Sequence, residues 1–134
     1  MSISRQNLSV VIVSYISEEV IHKCIESIPK DINILVVDNS GNEDFKLSIE
    51  EKYINAKCIL SLENLGMGAG NNLGLKHSTT DFALILNPDV VLENNTIEEL
   101  IIASKEIESF AVIAPIIKSG ININYKLFDE NKKK

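Results

Sequence analysis

Hydrophobic and polar positions in this chain fall into short continuous apolar runs that alternate with stretches of helical, roughly 3.6-residue spacing. Leu8 to Tyr15 is a β-branched run and predicts a strand. Val20, Ile21, Cys24, Ile25 and Ile28 then repeat at helical spacing. Ser17 stands where it can cap that helix, Glu18 and Glu19 suit its first turn, and Pro29 ends it. Ile32 to Val37 predicts a second strand, closed by the turn-forming cluster Asp38-Asn39-Ser40-Gly41. A helix is expected over Glu43–Tyr53 and a third strand over Ala56–Leu62. Glu63 to Gly70 reads as a glycine-rich loop, followed by a short helix over Asn71–His77. Phe82 to Leu86 predicts the fourth strand. Asn95 or Thr96 can start a helix with Ile97, Leu100, Ile101, Ser104 and Ile107 on one face, and Phe110 to Ile117 reads as a fifth strand interrupted by Pro115.

Strands alternating with helices imply an α/β fold: a mostly parallel, twisted sheet with helices on both faces. The strands are nearly continuous apolar runs, as burial on both faces requires. At 134 residues the chain fits one domain with a real core, assigned to residues 1–118, without internal repeat or linker. Residues 119–134 have no clear periodicity and close in Asn131-Lys132-Lys133-Lys134. They read as a frayed tail or as a truncated connection to a missing part of a larger protein.

Charge narrows the choice of partners. A net charge of −6 argues against general nucleic-acid binding, which needs a basic face. Few Lys or Arg flank the candidate loops, so a metal ion is the natural counter-charge for any phosphate bound there. Cys24 and Cys58 lie in apolar settings without a CxxC pattern and read as buried free thiols, which fits a reducing, cytoplasmic location. No apolar run approaches the ~20 residues that span a bilayer. Val10 to Val13 belongs to a strand rather than to a signal peptide. Peripheral attachment at the inner face of a membrane stays open.

Three clusters end successive strands: Ser14-Tyr15, Asp38-Asn39-Ser40 and Asn87-Pro88-Asp89. In a parallel sheet all carboxyl ends share one edge, so these clusters should converge where α/β proteins bind ligands. Asp38 can accept from a base N–H or a ribose hydroxyl, or can simply bond its own turn. Proline ends ladder pairing at Pro88, which sets Asp89 just past a buried strand as a metal ligand or as a plain turn residue. The loop Glu63-Asn64-Leu65-Gly66-Met67-Gly68-Ala69-Gly70-Asn71-Asn72-Leu73-Gly74 can bring backbone N–H groups to a ligand, or can be a tight strand-to-helix turn. It lacks the Gly-Lys-Ser/Thr of a P-loop and follows the third strand, not the first as a dinucleotide fingerprint would. His22 reads as solvent-facing and His77 as a partner of carbonyls in a last helical turn.

Together the segments Val10-Val11-Ile12-Val13-Ser14-Tyr15, Val36-Val37-Asp38-Asn39-Ser40, Glu63-Asn64-Leu65-Gly66 through Asn71-Asn72-Leu73-Gly74, and Leu84-Ile85-Leu86-Asn87-Pro88-Asp89 resemble the family 2 glycosyltransferases of GT-A fold, rhamnosyltransferase-like branch. The resemblance runs over about Leu8 to Ile117, in order and spacing. It implies a Rossmann-like nucleotide-binding half. Asp38 would contact the base, and Tyr15 would line the base site. Asn64, Gly66 and Asn71 would belong to the loop over the nucleotide. Asn87 and Asp89 would match the DxD motif, with Asp89 as ligand to a Mg²⁺ or Mn²⁺ that bridges the diphosphate. The implied donor is an NDP-sugar (UDP- or dTDP-sugar), and the implied acceptor is a glycan or a lipid-linked group.

The departures set further expectations. The family usually has Asn after the first-strand Tyr, where this chain has Ile16. The first DxD position is Asn87, a weaker ligand than Asp. Family members are about twice this length, and their later half carries the acceptor site and the base that deprotonates the acceptor, so this chain is expected to be the donor-binding part, inactive alone. An incomplete sheet leaves apolar surface, hence an expected homo-oligomer or partner. The rival readings are a phospho-receiver domain, which would need an acidic pair after the first strand; a nucleotidyltransferase, which would need a basic glycine-rich loop there; and a non-catalytic interaction module.

Overall fold

The computed structural model describes residues 2–115. Four strands form one parallel sheet: β1 (Leu8–Ser14), β2 (Asn33–Asp38), β3 (Ala56–Leu60) and β4 (Phe82–Leu86), in the spatial order β3-β2-β1-β4. Four helices connect and follow them: α1 (Glu18–Glu26), α2 (Glu43–Lys52), α3 (Gly66–His77) and α4 (Thr96–Glu106). The register is fixed at both sides of β1, with Ser14 level with Asp38 and Ile12 level with Leu86.

The two faces of the sheet are filled differently. Leu8, Val10 and Ile12 of β1, with Ile34 and Val36 of β2, Cys58 of β3 and Leu86 of β4, join Ile21, Cys24 and Ile25 of α1, Phe45 and Ile49 of α2, and Ile97 of α4 in one buried cluster. On the opposite face α3 approaches the sheet through glycines. A Cβ at Gly74 would stand 2.5 Å from Val11 Cγ1, and one at Gly70 would stand 2.9 Å from Val13 Cγ1. Helices thus cover both faces, as the alternating pattern predicts.

Four local expectations are corrected. The glycine-rich segment is not a loop up to Gly70: α3 begins at Gly66, and Gly70 and Gly74 lie against the sheet, where packing overrides their low helix propensity. Phe110–Pro115 form no strand. They line an apolar cavity of about 480 Å³ with Phe82, Leu84 and Ile101 instead; Phe110 and Ile113 are half-buried, whereas Val112 is exposed. The rest of that expected strand, and residues 119–134, lie outside the described residues. Ser17 occupies the N-cap position of α1 without a side-chain cap bond; its hydroxyl donates to the Tyr15 carbonyl at 3.3 Å. Val20 is exposed, so the buried stripe of α1 is Ile21, Cys24, Ile25 and Ile28. Among the described residues no helix is long and apolar enough to cross a membrane.

Candidate functional site at the carboxyl rim of the sheet

Parallel pairing brings the ends of β1, β2 and β4 to one rim. Asp38 ends β2 and is level with Ser14, the last residue of β1. On the other flank of β1, β4 stops at Leu86, level with Ile12, and Asn87-Pro88-Asp89 continues from there. Asp38 and Asp89 therefore leave strands two spacings apart, about 10 Å at the sheet, on the same edge.

The two carboxylates are held in opposite ways. Asp38 is 1% exposed. One of its oxygens accepts the Ser40 N–H at 3.2 Å, the other accepts the Asn42 N–H at 2.9 Å, and the Ser40 hydroxyl lies 2.9 Å from both. It thus organises the turn that starts α2, which the Asn42 side chain caps at Phe45 N. Asp89 is exposed. It is the third residue of a turn closed by the Val90 N–H on the Asn87 carbonyl at 3.2 Å, with proline favoured at the second position and Asn at the first.

Tyr15 projects at the end of β1 and is half exposed. Ile16, just beyond it, has φ 53°, a left-handed conformation that a β-branched side chain rarely adopts. On the β2 side, Asn64 accepts the Gly66 N–H at 3.0 Å, and Gly66 has φ +75°, which suits glycine. Asn71, in the second turn of α3, is half-buried, and its side-chain oxygen is shielded from solvent with no hydrogen-bond partner among the described residues. The Ser14 hydroxyl, buried between the β2 and β4 ends, is in the same state.

Sequence reading passed over Asn39 as mere turn composition. Its N–H donates to the Ser14 carbonyl at 2.8 Å, and its side-chain amide donates to the Gly66 carbonyl at 3.0 Å. Its side-chain oxygen accepts from the Ser61 hydroxyl at 3.1 Å. One buried Asn thereby joins β1, β2, the end of β3 and the start of α3. The hint in sequence is that Asn39 follows Asp38 at the end of the apolar run Ile34–Val37, where the chain has to turn. The histidines lie away from the rim chemistry. His22 is half-buried, with Nδ1 2.8 Å from the Tyr53 hydroxyl, rather than facing solvent. His77 Nδ1 meets the Leu73 carbonyl at 2.9 Å, as expected.

Both cysteines are free and buried. Burial, with a smaller contribution from Asp89, pushes the Cys24 thiol up to about 11. Burial first and Asp38 next push Cys58 up to about 12. The neutral Cys24 thiol lies 3.5 Å from the Asn87 carbonyl, directly beneath the Asp89 turn.

Among the described residues the rim offers few donors to a divalent ion. No group of three or more His, Cys, Asp or Glu side chains that could hold a metal exists among the described residues. Asp89 offers one exposed carboxylate and Asn87 an exposed amide beside it. Mg²⁺ is commonly bound by one or two carboxylates plus substrate phosphates, and Mn²⁺ favours the same oxygen ligands, so this donor set fits a cation that arrives with a phosphorylated ligand.

Residues 9–132 match the model of glycosyl transferase family 2. The chain belongs to that family. It is 32% identical over 124 residues to the low-salt glycan biosynthesis hexosyltransferase Agl10 of Haloferax volcanii, an alignment that covers 88% of this chain and 39% of Agl10. The crystal structure of S. aureus TarS 1-349 superposes with a TM-score of 0.65 at 24% identity, over 84% of this chain and 40% of that one, and the same protein in complex with UDP gives the same values. The mannosyltransferase PcManGT of Pyrobaculum calidifontis, in complex with GDP-Man and Mn²⁺, superposes with a TM-score of 0.61 at 18% identity, over 70% of this chain and 31% of that one. The family 2 chain described here thus has the GT-A type of α/β fold and spans about two fifths of the length of Agl10.

Proposed function

We propose that this chain is the donor-binding part of a metal-dependent, inverting family 2 glycosyltransferase. Residues 1–118 would hold an NDP-sugar at the rim, with UDP or dTDP as the nucleotide. Residues 119–134 would be the tail, or the connection to an acceptor-binding part. The supporting observation is that Asp38 and Asp89 flank β1 on a single sheet edge. UDP in TarS and GDP-Man with Mn²⁺ in PcManGT agree with such a ligand class.

In this reading Tyr15 lines the base site. Asp38 shapes the base wall through its turn and offers its remaining lone pairs to a base N–H. Asn64, Gly66 and Asn71 lie over the nucleotide, and the spare Asn71 oxygen accepts a ligand donor. Asn87 and Asp89 face the diphosphate, with Mg²⁺ or Mn²⁺ on Asp89. When bound, such an ion stabilises the charge of the departing nucleoside diphosphate as a Lewis acid. The acceptor, a glycan or lipid-linked group, and the base that deprotonates it are assigned to the part of the enzyme beyond this chain. Little or no transfer is expected from this chain alone. A cytoplasmic position, peripheral contact with the inner membrane face and self-association complete the proposal.

Titration calorimetry with UDP and dTDP, with and without Mn²⁺, tests it. Weak binding that requires the ion and disappears in Asp89→Ala is expected. A wild-type chain that binds neither nucleotide, or an Asp89→Ala variant that binds like wild type, overturns the proposal.

A further inference from the structure

We infer that Ser27 is a positioning residue for the Asp89 turn, acting with Cys24 from the end of α1. The inference rests on the donor-binding reading above and deepens it. The segment from Asn87 to Leu92 joins β4 to α4, with Asn87, Asp89 and Val91 exposed. A carboxylate on an exposed connection can serve an ion only if something fixes the connection's backbone.

Two bonds from one helical turn do this. The Ser27 hydroxyl donates to the Cys24 carbonyl at 2.7 Å, which fixes its orientation, and its oxygen accepts the Leu92 N–H at 3.0 Å. The Cys24 thiol lies 3.5 Å from the Asn87 carbonyl, the same oxygen that the Val90 N–H closes upon. The bonds fall at the two ends of the segment and leave Pro88 to Val91 between them. Val90 and Leu92 also turn inward against the main core, so the backbone is anchored on its buried side while Asp89 faces out. Ser27 directly follows the last residue of α1: its N–H serves the helix end and its hydroxyl proton goes back to the Cys24 carbonyl, which leaves the oxygen lone pairs for the neighbouring segment.

The test separates metal-dependent from metal-independent affinity. In Ser27→Ala the Mn²⁺-dependent UDP affinity should fall by about three- to tenfold, the size expected for losing one hydrogen bond that orders the turn. Uridine affinity without the ion should stay at the wild-type value, and Ser27→Thr should restore the Mn²⁺-dependent term. Cys24→Ala should show the same selective loss to a smaller degree. Equal weakening of UDP and uridine, or failure of Ser27→Thr to restore the ion-dependent term, overturns the inference. Amide hydrogen exchange on the wild-type chain gives an answer that does not depend on any variant folding. The Leu92 amide should exchange far more slowly than those of Val91 and Glu93, and equal rates overturn the inference. A wild-type chain with no Mn²⁺-dependent UDP affinity overturns the functional reading and with it the positioning role, whereas the exchange rates still report whether the Leu92 bond exists.

Discussion

The two aspartates of the rim differ more than their matching positions suggest. Asp38 is buried beneath its own turn, and most of its carboxylate's acceptor capacity serves Ser40 and Asn42. Asp89 is exposed, and its turn is closed by backbone and by α1, not by its carboxylate. One flank of β1 therefore uses its acid to build the rim, and the other flank presents its acid at the rim. Position at a strand end gives both residues an opportunity for chemistry, while the hydrogen-bond inventory separates the structural acid from the presented one.

The largest effect that can break this comparison is on stability. Asp38→Ala leaves the N–H groups of Ser40 and Asn42 without their acceptor in a buried turn. A loss of about 2–4 kcal/mol is expected, read from urea or thermal unfolding. A loss below about 0.5 kcal/mol would mean that the turn does not need its carboxylate, and the distinction between the two flanks would fail.

The next effect lies in α3, which borders the β2 flank. A Cβ at Gly74 meets Val11 Cγ1 at 2.5 Å and Val37 Cγ2 at 3.2 Å, and both valines are fully buried. Overpacking of this kind costs about 1–3 kcal/mol, against about 1 kcal/mol gained in helix propensity. Gly74→Ala is therefore expected to destabilise by up to about 2 kcal/mol. Gly68 has no atom within 4 Å of its virtual Cβ, so Gly68→Ala should stabilise by about 0.5–1 kcal/mol. Equal effects at the two positions would show that α3 does not rest on the sheet through its glycines.

The same glycines explain what could and could not be read from the residues. Apolar runs announce all four strands; β1 and β2 show the β-branched, doubly buried pattern of central parallel strands, while β3 and β4 are shorter and partly exposed. The start of α3 was hidden, since glycine argues against helix locally while Gly70 and Gly74, four residues apart, are needed for close approach to Val13 and Val11. That spacing of four was the available signal. Phe110–Pro115 misled in the reverse direction, because an apolar run does not by itself report pairing: these residues line an open cavity beside β4, and Val112 is exposed. Convergence of the strand-end clusters followed from topology alone. The roles of Asn39 and Ser27 did not, because each depends on hydrogen bonds to residues distant in the chain.

A smaller effect concerns the centre of the rim. Ile16 holds φ 53° with its side chain mostly in solvent, so it pays for a left-handed backbone without the compensation of burial. Asn tolerates that region far better and is the residue the family resemblance leads one to expect there. Ile16→Asn should raise stability by about 1 kcal/mol in the same unfolding assay. A variant less stable than wild type would show that the Ile16 side chain does more than accept the strain.

The smallest expected effect is the most discriminating. Asp89 accepts no intramolecular hydrogen bond among the described residues, and the turn around it is held by the Asn87 carbonyl, Val90 N–H and Leu92 N–H. Removing its carboxylate deletes no bond that folding uses, so Asp89→Ala should change stability by less than about 0.5 kcal/mol, as for an ordinary surface substitution. It also takes a negative charge away from the Cys24 thiol, which that charge helps to hold protonated. The Cys24 ionisation should accordingly move down from about 11, by less than burial has raised it, because burial is the larger cause. Stability and thiol titration thus read the two flanks independently of any ligand. A loss at Asp89 comparable to that at Asp38 would mean that both acids build the rim, and a free carboxylate for an ion would no longer be available there.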